Sequence, residues 1–306
     1  MKLVILAKRR RNVRGATLIL SLWALFLLSA MVISWAVEIN SHIVLSASAN
    51  RMLDAEAMAC SGAEVALHPV IKPGSPSLEG LLGKGKSYDA KVTGEGGRLN
   101  INWLIAGEDP TRLGILRKYL ELKGIDMNER DHMIDCLLDW VDPDNIPRLN
   151  GAEESDDYHP DNTLLTRIDT LKKIKGWEQF TSSPGWDDDF TLNSSGPIDV
   201  TWASRDVLLC LPGLTDAMVD RFLQIRQGAD GVDGTSDDTE FKTPDDVRVA
   251  MSVQDAQFKQ LSPLISVKDP VYRVVSVGKA GDATHVVQLV FRRVGVVPQV
   301  ITWKEF

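Results

Sequence analysis

Seven acidic side chains fall within 19 residues near the middle of the chain, around a loop that contains proline and glycine. Crowded carboxylates repel one another unless they are protonated, hydrated or bridged by a cation. Oxygen ligands on a flexible loop suit Ca²⁺, which takes about six to eight of them. A hydrated acidic loop without a metal is the alternative that these residues leave open. The seven are Asp139, Asp142, Asp144, Glu153, Glu154, Asp156 and Asp157.

A second acidic stretch, residues 230–240, resembles calcium-binding loops in its Asp and Gly content but not in its spacing. Its glycines permit tight turns that point oxygen atoms inward. An exposed loop tip between helices is the alternative to a calcium site here. The candidate ligands are Asp230, Asp233, Asp237 and Asp238.

Two motifs resemble phosphate-binding sites, but their surroundings argue against that function. Residues 80–87 spell the G-x-x-x-x-G-K-S pattern of a nucleotide-binding loop, which needs a strand before it and a helix after it. Proline and glycine precede the motif and a strand pattern follows it, so we predict a flexible polar loop. Residues 211–215 resemble the hairpin of a DNA-binding helix-hairpin-helix, but acidic flanks would repel DNA phosphate. We predict a packing hairpin and no nucleic-acid partner.

Signatures of catalysis are missing from the sequence, which contains neither Gly-x-Ser-x-Gly nor His-Glu-x-x-His. His132 and Cys136 share one face of a predicted helix, but no third group accompanies them, so we expect core packing. The three cysteines show no CxxC spacing, which argues against structural zinc. The chain is therefore predicted not to be an enzyme.

The N-terminus differs in composition from the rest of the chain. Residues 1–15 carry six Lys or Arg and no acid, and Ala16–Val37 is a stretch of 22 residues without a charge. As a helix this stretch is about 33 Å long, enough to cross the hydrocarbon core of a bilayer. The excess of positive charge predicts that residues 1–15 stay in the cytoplasm and that residues 38–306 cross the membrane.

The whole chain has an ordinary globular composition, with 44% hydrophobic and 25% charged residues. Its 306 residues predict about two domains. Its net charge of −8 makes it a poor general binder of nucleic-acid backbone.

Helical character continues past the apolar stretch to about His68, and Pro69 is a natural stop. Apolar residues recur every seven positions along this stalk, and the face they form is rich in alanine. We therefore expect the stalk to pack closely against other helices. The heptad positions are Leu45, Met52, Ala59 and Ala66.

Alternating apolar residues predict strands at 88–93, 98–103, 272–277, 285–293 and 296–303, whereas residues 109–261 show mostly helical spacing. The predicted fold class is α+β, with a long N-terminal transmembrane and stalk helix on a small antiparallel sheet and a large inserted all-α domain. A weak internal similarity between Gly97–Asn102 and Gly196–Thr201 favours two helical sub-units in the insert. The expected bounds are 1–15 for a leader, 16–70 for the helix, 71–104 plus 266–306 for the sheet domain and 105–265 for the insert.

Three interpretations of the N-terminus compete: a cleaved secretory signal, a signal anchor and a class III leader. The apolar run is too long for the first. A basic leader that ends at Gly15, directly before the apolar run, resembles the class III leaders of type IV pilins and type II secretion pseudopilins. That resemblance implies cleavage by prepilin peptidase between Gly15 and Ala16. Most of these proteins carry Glu at the fifth mature position, whereas this chain has Leu20, which resembles type II secretion system protein K at the filament tip.

Further motifs resemble the protein K family in their order along the chain, namely Gly97–Asn102, Leu138–Asp144, Asn150–Glu153 and Tyr158. The resemblance implies a minor pseudopilin with a pilin-like fold, anchored once in the inner membrane with a cytoplasmic N-terminus and a periplasmic C-terminal domain. Implied partners are the I and J minor pseudopilins, the major pseudopilin and prepilin peptidase. The resemblance also favours structural Ca²⁺ in the first acidic loop, with Asp142, Asp144, Glu153 and Asp156 as expected ligands.

Two other functions remain as alternatives. One is a single-pass, membrane-anchored calcium-binding adhesin or sensor of the periplasm, which would keep its N-terminus at Met1. The other is a membrane-anchored DNA-uptake protein that uses the hairpin at residues 211–215.

Overall fold

The structure, a computed structural model, describes residues 14–83, 85–295 and 297–306. A long helix is followed by two strands, a largely helical insert and three further strands. The helices are α1 (Arg14–Leu67), α2 (Ile101–Ile105), α3 (Pro110–Leu122), α4 (Met127–Val141), α5 (Glu178–Thr181), α6 (Arg205–Leu209), α7 (Asp216–Arg226), α8 (Pro244–Met251) and α9 (Asp255–Leu261). The strands are β1 (Glu79–Leu81), β2 (Lys86–Gly94), β3 (Leu99–Asn100), β4 (Phe190–Thr191), β5 (Ile198–Asp199), β6 (Ile265–Ser266), β7 (Val271–Ala280), β8 (Ala283–Arg293) and β9 (Pro298–Glu305).

Helix α1 runs unbroken for 54 residues because neither proline nor glycine occurs between Ala16 and Ser61. Its length is about 80 Å. Residues 16–46 are exposed, and among the described residues α1 is the one helix long and apolar enough to cross a membrane. The predicted helix from Ala16 to about His68 is confirmed.

The C-terminal part of α1 lies against the sheet through small side chains. Ala59, Ala63 and Ala66 have no exposed surface. On the facing strand β7, a Cβ at Gly278 would overlap the main chain of α1 at Ala55 and Ala59, so helix and strand approach closely at this point. The buried sheet residues in the same core are Ala90, Val92, Val274, Val287, Leu289 and Phe291.

The expectation that the alanine-rich face packs against other helices is wrong for this segment, because these alanines cover the sheet of the same chain. Leu45 and Met52, at the other predicted heptad positions, remain 66% and 52% exposed. The face therefore changes from exposed, larger side chains to buried, small ones along the helix.

The main sheet has the order β1-β2-β7-β8-β9, and every neighbouring pair is antiparallel. Because β2 and β7 are neighbours, the chain leaves the sheet after β2 and returns to it at β7, with the insert between them. The three predicted C-terminal strands are confirmed, although Val296, the first residue of the third, lies outside the described residues. The predicted fold class is confirmed.

The predicted strand at residues 98–103 is wrong. Only Leu99 and Asn100 are extended, and they pair with β4 in a separate two-stranded sheet before α2 begins at Ile101. Leu99 and Ile101 are fully buried in the core of the insert. Tertiary packing there outweighs the alternating pattern.

The insert is built on capped helices around an aromatic core. Its largest fully buried side chains are Trp177, Tyr119, Phe190 and Phe222, and the Trp177 indole N–H donates to the Met133 carbonyl at 2.8 Å. A side-chain oxygen accepts an N–H of the first turn at the start of six of its helices, which satisfies donors that the helix cannot. These N-cap residues are Asn100 of α2, Asp109 of α3, Asp126 of α4, Ser204 of α6, Thr215 of α7 and Thr243 of α8.

A buried carboxylate joins the insert to the sheet. Glu95, which follows β2, has no exposed surface. Arg273 of β7 donates to both of its oxygens at 2.8 Å, and Arg98 donates to one at 3.2 Å. The Thr191 hydroxyl of β4 also donates to Glu95 at 2.5 Å. One carboxylate therefore connects β2, β7 and the core of the insert.

Two glycines of the insert pack reciprocally against two tryptophans. A Cβ at Gly97 would meet Trp202, and one at Gly196 would meet Trp103. Each tryptophan follows its own glycine by six residues, within the two segments that resemble each other in sequence. Each segment also forms a short strand with a parallel partner, β3 with β4 and β5 with β6.

We expect Gly278→Ala to destabilise the full chain by about 2 kcal/mol, because the added methyl overlaps the backbone of α1. Thermal unfolding in detergent measures the effect. Gly114→Ala is the matched control, since a Cβ there meets nothing within 4 Å and alanine is the better helix former in α3. Equal melting temperatures for Gly278→Ala and the unmodified chain would contradict the close packing of α1 on β7.

Candidate metal centre

Two of the clustered acids lie at the C-terminal end of α4. Asp139 and Asp142 are three residues apart, which places them on one face of the helix, and Asp142 is its C-cap residue. Asp139 is fully buried. Because the C-terminus of a helix carries partial negative charge, carboxylates there need a compensating cation.

The loop after α4 folds back and places a third carboxylate, that of Glu153, beside this pair. One oxygen from each of Asp139, Asp142 and Glu153 lies within 4.8 Å of the others. A Cβ at Gly151 would overlap the Asp139 carboxylate, so this return requires glycine. Within the described parts of the chain, no other three His, Cys, Asp or Glu residues meet at this spacing.

Arg148, in the same loop, supplies a cation to this acidic group. Its Nη1 donates to Asp139 Oδ1 at 2.5 Å and also to Asp142 Oδ2. Its Nη2 donates to Glu108 Oε1 at 2.7 Å, and its backbone N–H donates to Asp139 Oδ2 at 3.2 Å. The guanidinium therefore holds one side of the Asp139–Asp142 pair.

Three buried oxygens of the group face no donor among the described residues: Asp142 Oδ1 and both carboxylate oxygens of Glu153. Burial, reinforced by the charges of Asp139 and Asp142, raises the pKa of Glu153 above its ordinary value. Unpaired buried oxygens of this kind are costly, and a hard divalent cation would satisfy them. The residues present therefore fit Ca²⁺.

Of the four ligands predicted in this loop, the structure brings together Asp142 and Glu153 but not Asp144 and Asp156. The Asp144 carboxylate instead accepts the Ile146 N–H at 2.8 Å, and Asp156 is exposed. The third member of the group, Asp139, is absent from the predicted ligand set, although its three-residue spacing from Asp142 on a predicted helix was the available signal.

The four acids of the second loop do not form such a group in the described structure. Asp233 is held by Arg226, with Nε–Oδ1 and Nη2–Oδ2 distances of 2.8 and 2.7 Å. The Thr235 hydroxyl and backbone N–H groups lower the pKa of Asp237 to about 2. Asp230 accepts the Val232 N–H, and Asp238 accepts the Gly234 N–H. Three of the four carboxylates therefore accept N–H groups at the turns of this loop, and the fourth is paired with an arginine of α7.

The phosphate-loop pattern at residues 80–87 forms a β-hairpin rather than the predicted loop, because β1 pairs with β2 across it. Its residue Lys84 lies outside the described residues. Lys86 is paired with Asp54 of α1 at 2.7 Å, and β2 follows where a nucleotide-binding loop would need a helix.

The hairpin at residues 211–215 joins α6 to α7 and buries Leu211 in the insert core, as predicted. Arg205, on α6, is held by Asp216 and Asp220 at 2.6 and 2.7 Å. These acids leave the hairpin poorly suited to DNA phosphate.

His132 and Cys136 pack together on α4 without a third ligand in the described structure. The Cys136 sulfur lies 3.5 Å from His132 Nδ1, and burial raises the pKa of the Cys136 thiol to about 12. The thiol therefore stays protonated at neutral pH, and core packing is confirmed. Cys60 and Cys210 are also free thiols.

The predicted cleavage position lies in the first turn of α1, where both Gly15 and Ala16 are helical. Residues 1–13 of the predicted leader lie outside the described residues. Leu20, at the position where most pilins carry Glu, is 69% exposed on the apolar part of α1.

An apolar helix packed on an antiparallel sheet, with a helical insert between two adjacent strands, defines a pilin-like protein. Residues 97–182 match the family model described as Type II secretion system (T2SS), protein K. The Type II secretion system protein K of Dickeya chrysanthemi is 30% identical over 71 residues, which cover 22% of this chain and only 20% of that protein. The resemblance to protein K is confirmed.

A solved structure extends the similarity to most of the chain. A chain of the crystal structure of the GspK-GspI-GspJ complex from the enterotoxigenic Escherichia coli Type 2 Secretion System matches with a TM-score of 0.57. The match covers 88% of this chain and 97% of that one, at 15% sequence identity. It shows a shared fold.

We expect Glu153→Gln to raise the melting temperature of the chain at pH 7.5 in the presence of a chelator. Folded Glu153 binds its proton more tightly than the unfolded residue, so the unmodified chain loses stability as the pH rises from 4.5 through the raised pKa. The gain should vanish near pH 4, where the carboxyl is protonated in both states.

The control is Glu154→Gln, since Glu154 is exposed and paired only with His159 at the surface. A Glu153 variant that is no more stable than this control at pH 7.5 would show that the carboxylate costs nothing in the folded chain.

Proposed function

We propose that the chain is a minor pseudopilin of the type II secretion system. It would lie at the tip of the periplasmic pseudopilus with other minor pseudopilins and support protein export across the outer membrane. The observation that carries this proposal is the match of residues 97–182 to the protein K family model. The fold of the chain agrees with it, because its structural match covers 97% of a chain from the GspK-GspI-GspJ complex.

The exposed half of α1 supports assembly through helix packing. Residues 16–46 present apolar side chains around the whole helix, which suits lipid and equally suits the helices of sister subunits. Before assembly the bilayer would cover this surface, and in the filament the helices of the I and J minor pseudopilins and the major pseudopilin would. No chemical step is needed for this role.

Two features of this chain support the proposed position at the tip. The insert between β2 and β7 widens the head beyond the sheet, so that it fits the end of a filament better than its interior. Leu20 replaces the carboxylate that would pair with the terminal amine of a neighbouring subunit. A carboxylate without that partner is costly in hydrocarbon, so a terminal subunit gains by lacking it.

The distribution of charge supports the proposed membrane orientation. The six positive residues before Ala16 would keep the N-terminus in the cytoplasm, and the head would stand in the periplasm. Prepilin peptidase would then cut between Gly15 and Ala16 and leave the apolar helix on the mature protein.

We expect the native chain to begin at Ala16 when it is expressed with prepilin peptidase and at Met1 without the enzyme. Mass spectrometry of the purified protein measures this, and the mature chain should co-purify with the I and J minor pseudopilins of the same secretion system. A chain that keeps residues 1–15 beside an active peptidase, and purifies alone, would instead indicate an anchored adhesin or sensor.

We further infer that Ca²⁺ binds the group formed by Asp139, Asp142 and Glu153. The support is chemical: three carboxylates converge, and three of their buried oxygens lack donors in the described structure. Bound calcium would neutralise these oxygens and tie the loop after α4 to the end of that helix. Asp144, in the same loop, would add to the local negative charge.

Saturating Ca²⁺ should raise the melting temperature of the full chain by roughly 5–10 °C, as expected for an ion that binds only the folded state. Asp142→Asn should abolish most of this shift. Asp156→Asn is the matched control, because Asp156 lies in the same loop but outside the group, and it should keep the shift. If Asp156→Asn removes the shift and Asp142→Asn does not, the assignment of Asp142 as a ligand is wrong.

A further inference from the structure

We propose that Arg148 sets the charge selectivity of the Asp139–Asp142–Glu153 group, so that its guanidinium shifts the preference of the group away from trivalent and towards divalent cations. This inference rests on the calcium proposal above and assigns a specificity-determining role to a residue that is not itself a metal ligand.

The geometry divides the group into two sides. Arg148 Nη1 donates hydrogen bonds to Asp139 Oδ1 and Asp142 Oδ2, and the backbone N–H of Arg148 donates one to Asp139 Oδ2. The oxygens left without donors are Asp142 Oδ1 and both oxygens of Glu153. The guanidinium therefore occupies one side of the Asp142 carboxylate and leaves the other side, together with Glu153, for an ion.

The charges then match a divalent cation. Three carboxylates with one fixed guanidinium leave two negative charges, which one Ca²⁺ neutralises. Two further acids lie nearby, but Glu108, the other partner of Arg148, has a side chain that is 56% exposed, and Asp144 is exposed as well, so water screens both charges. Without the guanidinium, three negative charges would remain and a trivalent ion would match them better.

Arginine suits this role because it is always charged and its planar fork donates to several carboxylates at once. Its side chain is only 23% exposed and is held by three different acids, so its position is fixed relative to the group. A lysine at this position would keep the charge but lose the fork.

The test compares the dissociation constants of the full chain for Ca²⁺ and Tb³⁺ in detergent, by titration calorimetry with each metal alone. The Glu153→Gln variant identifies the binding that belongs to this group. We expect Arg148→Gln to shift the ratio of the two constants towards Tb³⁺ by roughly three- to tenfold, the effect of one extra negative charge acting on one more unit of ion charge.

Arg148→Lys should bind both ions more weakly, because lysine lacks the planar donor fork of arginine. The ratio of its two dissociation constants should equal that of the unmodified chain, because the charge is kept. Arg167→Gln is the matched control for a lost surface charge, since that side chain is 76% exposed, and it should leave the ratio unchanged. The ratio of the dissociation constants is the decisive readout, because loss of a merely structural role of Arg148 would weaken the binding of both ions equally.

Three results overturn the inference: an unchanged ratio in Arg148→Gln, the same shift in Arg148→Lys, or an Arg148→Gln chain that does not fold with either ion present. An unmodified chain that binds neither ion at this group contradicts the calcium proposal itself. These failures are distinguishable, because the first three leave calcium binding by the unmodified chain intact.

Discussion

The close approach of α1 to β7 is the constraint on which the rest of the molecule depends. One helix must satisfy two environments: its first half presents large apolar side chains outward, and its second half lies beneath a sheet. Alanines on the helix and Gly278 on the strand bring the two backbones together, so many weak dispersion contacts form over a short length. The head is thereby fixed to the apolar rod by packing as well as by the continuous chain, and its orientation relative to the rod is set at this point.

The second fixed point is the buried carboxylate of Glu95. Buried ion pairs add little to stability once desolvation is counted, but their geometry is specific. Because Arg273 of the sheet meets this carboxylate through two hydrogen bonds, and Thr191 of the insert through a third, the insert is held in one orientation against the sheet. For a subunit proposed to occupy a filament tip, that rigidity determines which face of the wide head its neighbours meet.

The elements with strong local signals could be predicted from the sequence. The unbroken apolar run predicted α1, and the alternation of apolar and polar residues predicted β2 and the three C-terminal strands. The strand predicted at residues 98–103 is wrong, although these residues alternate in hydrophobicity as a strand does. Their burial depends on insert residues far away in sequence, such as Ser194, which is hydrogen-bonded to Asn100 from 94 positions away. The same limit applies to the candidate metal centre. The acidic cluster is visible in the sequence, but its division into Asp139, Asp142 and Glu153 near Arg148, and Asp156 in solvent, is decided by how the loop closes at Gly151. Spacing alone does not encode that closure.

The reciprocal fit of Gly97 with Trp202 and of Gly196 with Trp103 has a consequence for how the insert folds. Each half supplies the indole that fills the space beside the other half's glycine, so neither half can complete its core alone. The two sub-units, similar in sequence at these segments, are therefore interdependent rather than separable modules. The insert should lose its structure in one cooperative step, and a polypeptide truncated between its halves would expose an aromatic surface prone to aggregation.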